Sequence, residues 1–390
     1  MPDAPRTATE SARRWRAVRA FLTANRHELG QVAARLYPEL PRIGSAGLLC
    51  HQQWLPPAPL EIDALPLAWD GARPAWRADQ ADLLARYRAA SAHVRPLRPD
   101  GDRYPSYTDA VAALDRPALF ENRPCYRLLD ARLTAPPGLL LGPTSYFEGM
   151  ELGHAVAHEL AATWERAPGA VRMAGLPLRA LAGDPCDFRR RLSLSAVTTL
   201  TLRRAARGDA SFVLHWRDPA QVNHGGGLYQ VMPVGLFQPV TGAPAAIRHD
   251  LSLWRSMARE FSEEFLGTPE DYQTSGGLLD YDGWPFYSRL TQARREGRLT
   301  VHCLGLGVDP LTFATDILAV AVFDEALFDA EFARLVALNA EGRVITGGRA
   351  EGIPFSADTV SRLTDGDDPV QASGAAVLRL AWQHRRHLLG

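Results

Sequence analysis

Leu253, Met257, Phe261 and Phe265 recur every four residues in the stretch DLSLWRSMAREFSEEFLGTP. Residues four apart share one face of a helix, so this spacing predicts a helix over 250–266 with one apolar stripe. Asp250 is placed to cap its start, Gly267 to end it, and Pro269 prevents continuation. Such a stripe has to be buried against an apolar partner.

The partner is supplied by strand-like runs on either side. LSLSAVTTLTLRR and ASFVLHWRD flank the turn AARGD and predict a hairpin from about residue 192. GGGLYQVMPVGLFQPV predicts a glycine loop, a strand and a bend. LTVHCLGLGV and ILAVAVFD predict two more strands, with helices expected at about 325–340, 356–364 and 370–388. Residues before 190 have another texture: helical patterns over 10–37, 77–94 and 144–165, one strand over 125–133, and irregular Pro- and Trp-rich stretches. No βαβ unit repeats, which predicts an α+β fold rather than a doubly wound sheet. The expected organisation is a mostly helical region over 1–190 followed by a second domain over 191–390.

All 43 basic side chains are arginine; the chain has no lysine. Schiff-base chemistry, pyridoxal-phosphate attachment and the Walker A loop need that amine and are excluded. A formal net charge of −1 gives no overall attraction to nucleic acid or anionic membrane. Arg13, Arg14, Arg16 and Arg19 are read as a solvated helix face, which argues against DNA. No apolar run approaches membrane-spanning length. Cys50, Cys125, Cys186 and Cys303 are far apart and form no CxxC pair, against a zinc ribbon or disulfide framework. With a charged N-terminus lacking an apolar core, they predict a cytoplasmic protein.

Off the apolar stripe, Glu260, Glu263 and Glu264 stand at i, i+3 and i+4. Carboxylates so close repel unless solvated or bridged by a cation, and hard divalent ions favour such oxygen donors. The run REFSEE resembles the REUxEE core of the Nudix hydrolases, where U is a bulky apolar residue. Pro233-Val234-Gly235 stands near the place of that family's Pro-Gly-Gly, Gly267 comes one position late, and Leu251 occupies the site of an upstream glutamate. The resemblance covers about residues 193–345. It implies a Nudix-like α/β/α sandwich with a mixed sheet, with Glu260, Glu263 and Glu264 as Mg²⁺ (or Mn²⁺) ligands or base and Arg259 orienting them. It also implies a nucleoside diphosphate linked to another group as substrate.

Other candidates stand beside this one. Gly225, Gly226 and Gly227 would let backbone amides approach a phosphate or sugar. Asp282 and Trp284 in DYDGWPFY suit a stacked base with a carboxylate nearby. Glu151, His154, His158 and Glu159 have helical spacing, but packed or capping roles are the better reading unless that helix lines a cleft between domains. Arg189, Arg190 and Arg191 read as a solvated cluster. The function expected is divalent-metal-dependent cleavage of a nucleotide-linked pyrophosphate. The alternatives are a degenerate sensor for a nucleotide-like ligand and non-hydrolytic biosynthetic chemistry on the same scaffold. Homo-oligomerisation is left open.

Overall fold

The computed structural model describes residues 7–390 except 46, 72–73, 119, 219–225, 270–273, 276, 334, 336–337, 340–341, 348–351 and 366–367. Its first helices are α1 (Ala8–Ala24), α2 (Arg26–Arg35), α3 (Pro74–Ala90) and α4 (Tyr107–Leu114). The 10–37 pattern is therefore two helices broken at Asn25. Strand β1 (Leu67–Trp69) joins the hairpin of β2 (Pro124–Arg132) and β3 (Gly138–Ser145) in a three-stranded sheet. Ser145 and Glu148 form a capping box that starts the long helix α5 (Tyr146–Arg166) directly after β3. Helix α6 (Pro177–Ala182) follows.

The second half builds the main sheet from β4 (Ser195–Arg204), β5 (Ala210–Phe212), β8 (Val234–Leu236), β9 (Leu299–Val308) and β10 (Thr315–Asp324). The sheet is mixed: β9 and β10 are antiparallel, whereas β10 runs parallel to β4 in unbroken register from Thr315↔Ser195 to Asp324↔Arg204. The ASFVLHWRD run splits at Val213. Its first part, β5, stays in the main sheet; β6 (Leu214–Arg217) pairs with β7 (Tyr229–Val231) and β11 (Gly342–Ile345) in a second sheet. The Met232–Pro233 peptide between β7 and β8 is cis.

Helix α7 (Pro244–His249) precedes α8 (Leu253–Leu266), which starts three residues later than its pattern suggests. Ser252, not Asp250, caps it, accepting the Arg255 N–H, while Gly267 ends it in the left-handed region at φ 68°. Leu253, Met257, Phe261 and Phe265 are all buried, each contributing about 1.5–3 kcal/mol of transfer free energy. Phe261 lies edge-on to Phe323 of β10, so α8 covers that face of the sheet. Helices α9 (Pro285–Arg295), α10 (Glu325–Glu331, much shorter than expected), α11 (Ala357–Asp365) and α12 (Ala372–Gln383) complete the main set. Asp316 of β10 points to the opposite face from Phe323, by strand alternation, and bonds Ser373 of α12. Helices thus cover both faces of a mixed sheet, and the fold is α+β.

The division near 190 does not separate the packing. Two-residue strands at Arg42–Ile43, Leu48–Leu49 and Leu60–Glu61 extend the main sheet past β9. One apolar cluster runs from Trp15 to Leu388 through both halves. Among the described residues, no helix is long and apolar enough to cross a membrane.

Candidate functional site

A cavity of about 600 Å³ opens where α5 meets the end of the main sheet and the carboxylate face of α8. Glu260, Glu263 and Glu264 all line it. The REFSEE helix is therefore not a charged surface: Glu264 and Arg259 are buried, at 5% and 4% exposure, and Glu260 and Glu263 are half-buried.

Each of these side chains has a local reason for its position. Glu264 accepts the backbone N–H of Val234 at 2.7 Å, and its other oxygen lies 3.9 Å from Nδ1 of the fully buried His215. Glu260 lies against β8 at Gly235. A Cβ there would fall 1.8 Å from the Glu260 carboxyl carbon, so the glycine makes room for the carboxylate. Arg259 donates to the Gln238 carbonyl at 2.6 Å and to the Tyr281 hydroxyl, and stands 3.7 Å from Asp250. Asp250 itself is fully buried, accepting from Tyr281 at 2.9 Å and from the Val240 N–H at 2.8 Å. It is an anchor for Arg259 rather than a helix cap.

In donor type the three glutamates, which line one cavity, fit a hard divalent cation. As they stand, however, their carboxylates do not form a set with oxygens all within 4.8 Å of one another; among the described residues His51, Asp184 and Cys186 do.

Helix α5 supplies the opposite wall. His154 is half-buried and lines the cavity, so this part of the helix does border the cleft between the two halves. His158, one turn on, is buried beside Trp15 and hydrogen-bonded to the Tyr107 hydroxyl at 3.1 Å, and burial depresses its pKa to about 3. Glu151 accepts the Tyr107 and Thr108 amides, capping α4, and Glu159 does the same for Leu178 and Arg179 at α6. Those two carboxylates are structural.

The structure also brings in residues that sequence reasoning left out. Arg123 and Arg217 line the cavity, and so does Arg191, which the sequence reading placed in solvent. Of the run expected to be a solvated cluster, Arg189 and Arg190 are exposed as expected, but Arg191 is 1% exposed. It donates to the Pro185 and Phe313 carbonyls and to Thr315 Oγ1, and burial lowers its pKa to about 10. Phe313, on the cavity wall, has a positive φ of 61°, a conformation costing about 1–3 kcal/mol that these arginine contacts help hold. Asp316 lines the cavity from β10 and accepts Thr198 Oγ1 at 2.7 Å. Its removal from water pushes its pKa up to about 7 despite that bond. The available signal was one acidic residue at the head of the apolar run DILAVAVF.

The expected substrate contacts lie elsewhere. Gly225 is outside the described residues. Gly226 and Gly227 sit in the turn before β7 and do not line the cavity; Gly227 donates its N–H to the Arg217 carbonyl, so the turn positions Arg217 instead. Asp282 is exposed, and Trp284 packs on Tyr281, Phe286 and Tyr287; neither borders the cavity. The DYDGWPFY loop folds back onto α9, with Ser288 Oγ bonding the Asp282 carbonyl.

No family model matches this chain, and a comparison with curated proteins finds no match. Among solved structures, it is similar to the crystal structure of a NUDIX hydrolase from Alicyclobacillus acidocaldarius. That alignment has 18% identity and a TM-score of 0.27, over 48% of this chain and 90% of the other.

Proposed function

We propose that this chain is a divalent-metal-dependent hydrolase acting on a pyrophosphate linkage, of the kind that joins a nucleoside diphosphate to another group. The observation that carries the reading is the placement of Glu260, Glu263 and Glu264 on the wall of one large cavity. Turning three neighbouring carboxylates, one buried and two half-buried, into a shared cavity is unfavourable without a cation, whereas a solvated helix would turn them outward. When bound, Mg²⁺ or Mn²⁺ would offset phosphate charge and make water a better nucleophile. Glu260, Glu263 and Glu264 would hold it. Arg259 fixes α8 against Asp250 and the Gln238 carbonyl, and so aims the carboxylate face.

The reaction consumes one water. Its oxygen bonds to phosphorus, the bridging P–O bond breaks, and its proton passes to a carboxylate of the α8 face. Arg123 and Arg217 supply charge for phosphate oxygens, while Met150, Leu194 and Leu236 supply an apolar wall for the organic part.

Calorimetry with Mg²⁺ and Mn²⁺, comparing wild type with Glu263→Gln plus Glu264→Gln, tests the cation. A panel of nucleoside-diphosphate-linked substrates tests turnover. Binding lost in the double variant, with phosphorylated products from wild type, supports the hydrolase. A second reading, a ligand sensor without turnover, is favoured by the hold of the Val234 N–H on Glu264 and by the spread of the carboxylates. Nucleotide binding without products would select it.

A further inference from the structure

We propose a second metal site, independent of the α8 carboxylates: a Zn²⁺-type centre formed by His51, Asp184 and Cys186. One ligand atom from each lies within 4.8 Å of the other two. His51 Nε2 is 3.9 Å from Asp184 Oδ2. Ligands of a tetrahedral zinc at bond lengths of about 2.0–2.3 Å stand roughly 3.3–3.8 Å apart, so a small closure suffices. Nitrogen, oxygen and sulfur donors together match the borderline-soft character of Zn²⁺ and not that of Mg²⁺.

The two chain segments are already held in place. His51 packs edge-on against Trp54 at 4.8 Å, and Trp54 stacks on Phe188 at 4.9 Å, tying the 51–54 turn to the segment after Cys186. Asp184 Oδ1 accepts the Cys186 N–H at 2.7 Å, which leaves Oδ2 toward His51. Cys186 is buried at 2% exposure, whereas the His51 and Asp184 side chains are 35% and 40% exposed. The thiol thus forms the floor of a site whose fourth position faces solvent, the arrangement of a three-ligand zinc centre with one exchangeable ligand. A simple His–Asp ion pair would give the thiol no part.

The test is Co²⁺ titration of the full chain under a non-thiol reductant, followed by Zn²⁺ competition. A thiolate-to-cobalt charge-transfer band reaching one equivalent and abolished by Zn²⁺ is expected. Cys186→Ser should lose the band. His51→Ala should weaken binding at least about tenfold. Glu263→Gln plus Glu264→Gln should leave the band intact, which separates this site from the α8 face. Circular dichroism checks folding; the half-exposed His51 variant keeps the test usable where Cys186→Ser does not fold. No band in wild type, or an equal band in folded Cys186→Ser, overturns the proposal.

Discussion

Asp316 concentrates the energetic cost of the cavity in one carboxyl group. It is 4% exposed, it receives hydrogen bonds from Thr198 and Ser373, and Asp309 lies near enough to add repulsion. The folded state therefore holds a proton on Asp316 up to about pH 7, whereas the unfolded chain releases it near the ordinary aspartate value of 3.8. Between those limits the folded state binds more protons, so stability falls as pH rises. Its contribution is complete below about pH 4 and gone above about pH 7, on the order of a few kcal/mol. Asp316→Asn should flatten that part of the pH dependence and be more stable than wild type at pH 8. Urea denaturation at pH 5 and pH 8 measures both; an unchanged slope in the variant would show that another group titrates. Where Asp316 acts in the reaction, the same substitution also moves the pH profile of turnover.

Among the elements, α5 shows how close packing built the cavity wall. Gly149 and Gly153 stand four apart and let the helix settle onto the Leu194 side chain and the Thr312 backbone. A Cβ on Gly153 would lie 2.6 Å from the Thr312 carbonyl oxygen, which is backbone and cannot rotate aside. Alanine in a helix interior normally gains about 1 kcal/mol over glycine, but overpacking costs about 1–3 kcal/mol. Gly153→Ala should therefore destabilise, by up to about 2 kcal/mol, and reshape the cavity. Gly30→Ala on α2, where nothing lies within 4 Å, should stabilise instead. Equal signs in denaturant midpoints would remove the packing argument. The same scale explains what could be read from the sequence. The stripe of α8 has the helical period, the Gly267 stop is a local backbone signal, and strands β4, β9 and β10 are short β-rich runs buried on both faces; the structure has all of them. The split between β5 and β6 was hidden, because both parts carry strand composition and only tertiary packing sends them to different sheets. The inward turn of Glu260, Glu263 and Glu264 was hidden too: a charged helix face looks the same in sequence whether it meets water or a cavity. His51 and Cys186 are separated by over a hundred residues, so no spacing rule connects them.

Over the whole molecule, the texture change near residue 190 marks a shift in secondary structure without marking a shift in core. His302 and Cys303 of β9 pair with Glu61 and Leu60, and Val308 pairs with Leu49. Leu48 lies against Gly307 so closely that a Cβ on the glycine would meet it at 2.3 Å. Residues 191–390 alone would expose that side of β9, an apolar edge of unpaired backbone groups prone to intermolecular pairing. They would also lose Tyr146, Met150 and Gly153 from the cavity wall, leaving the α8 carboxylates in water. The intact chain should then unfold in one transition, with fluorescence and circular dichroism curves coinciding. A 191–390 fragment should aggregate or lack cooperative unfolding, and should bind divalent cations more weakly than the full chain. If the fragment instead unfolds cooperatively and binds Mg²⁺ with full-chain affinity, the cavity owes its chemistry to the second half alone. Residues 1–190 would then act on substrate selection, which comparison of fragment and full chain across the substrate panel would reveal as a loss of selectivity at unchanged metal affinity.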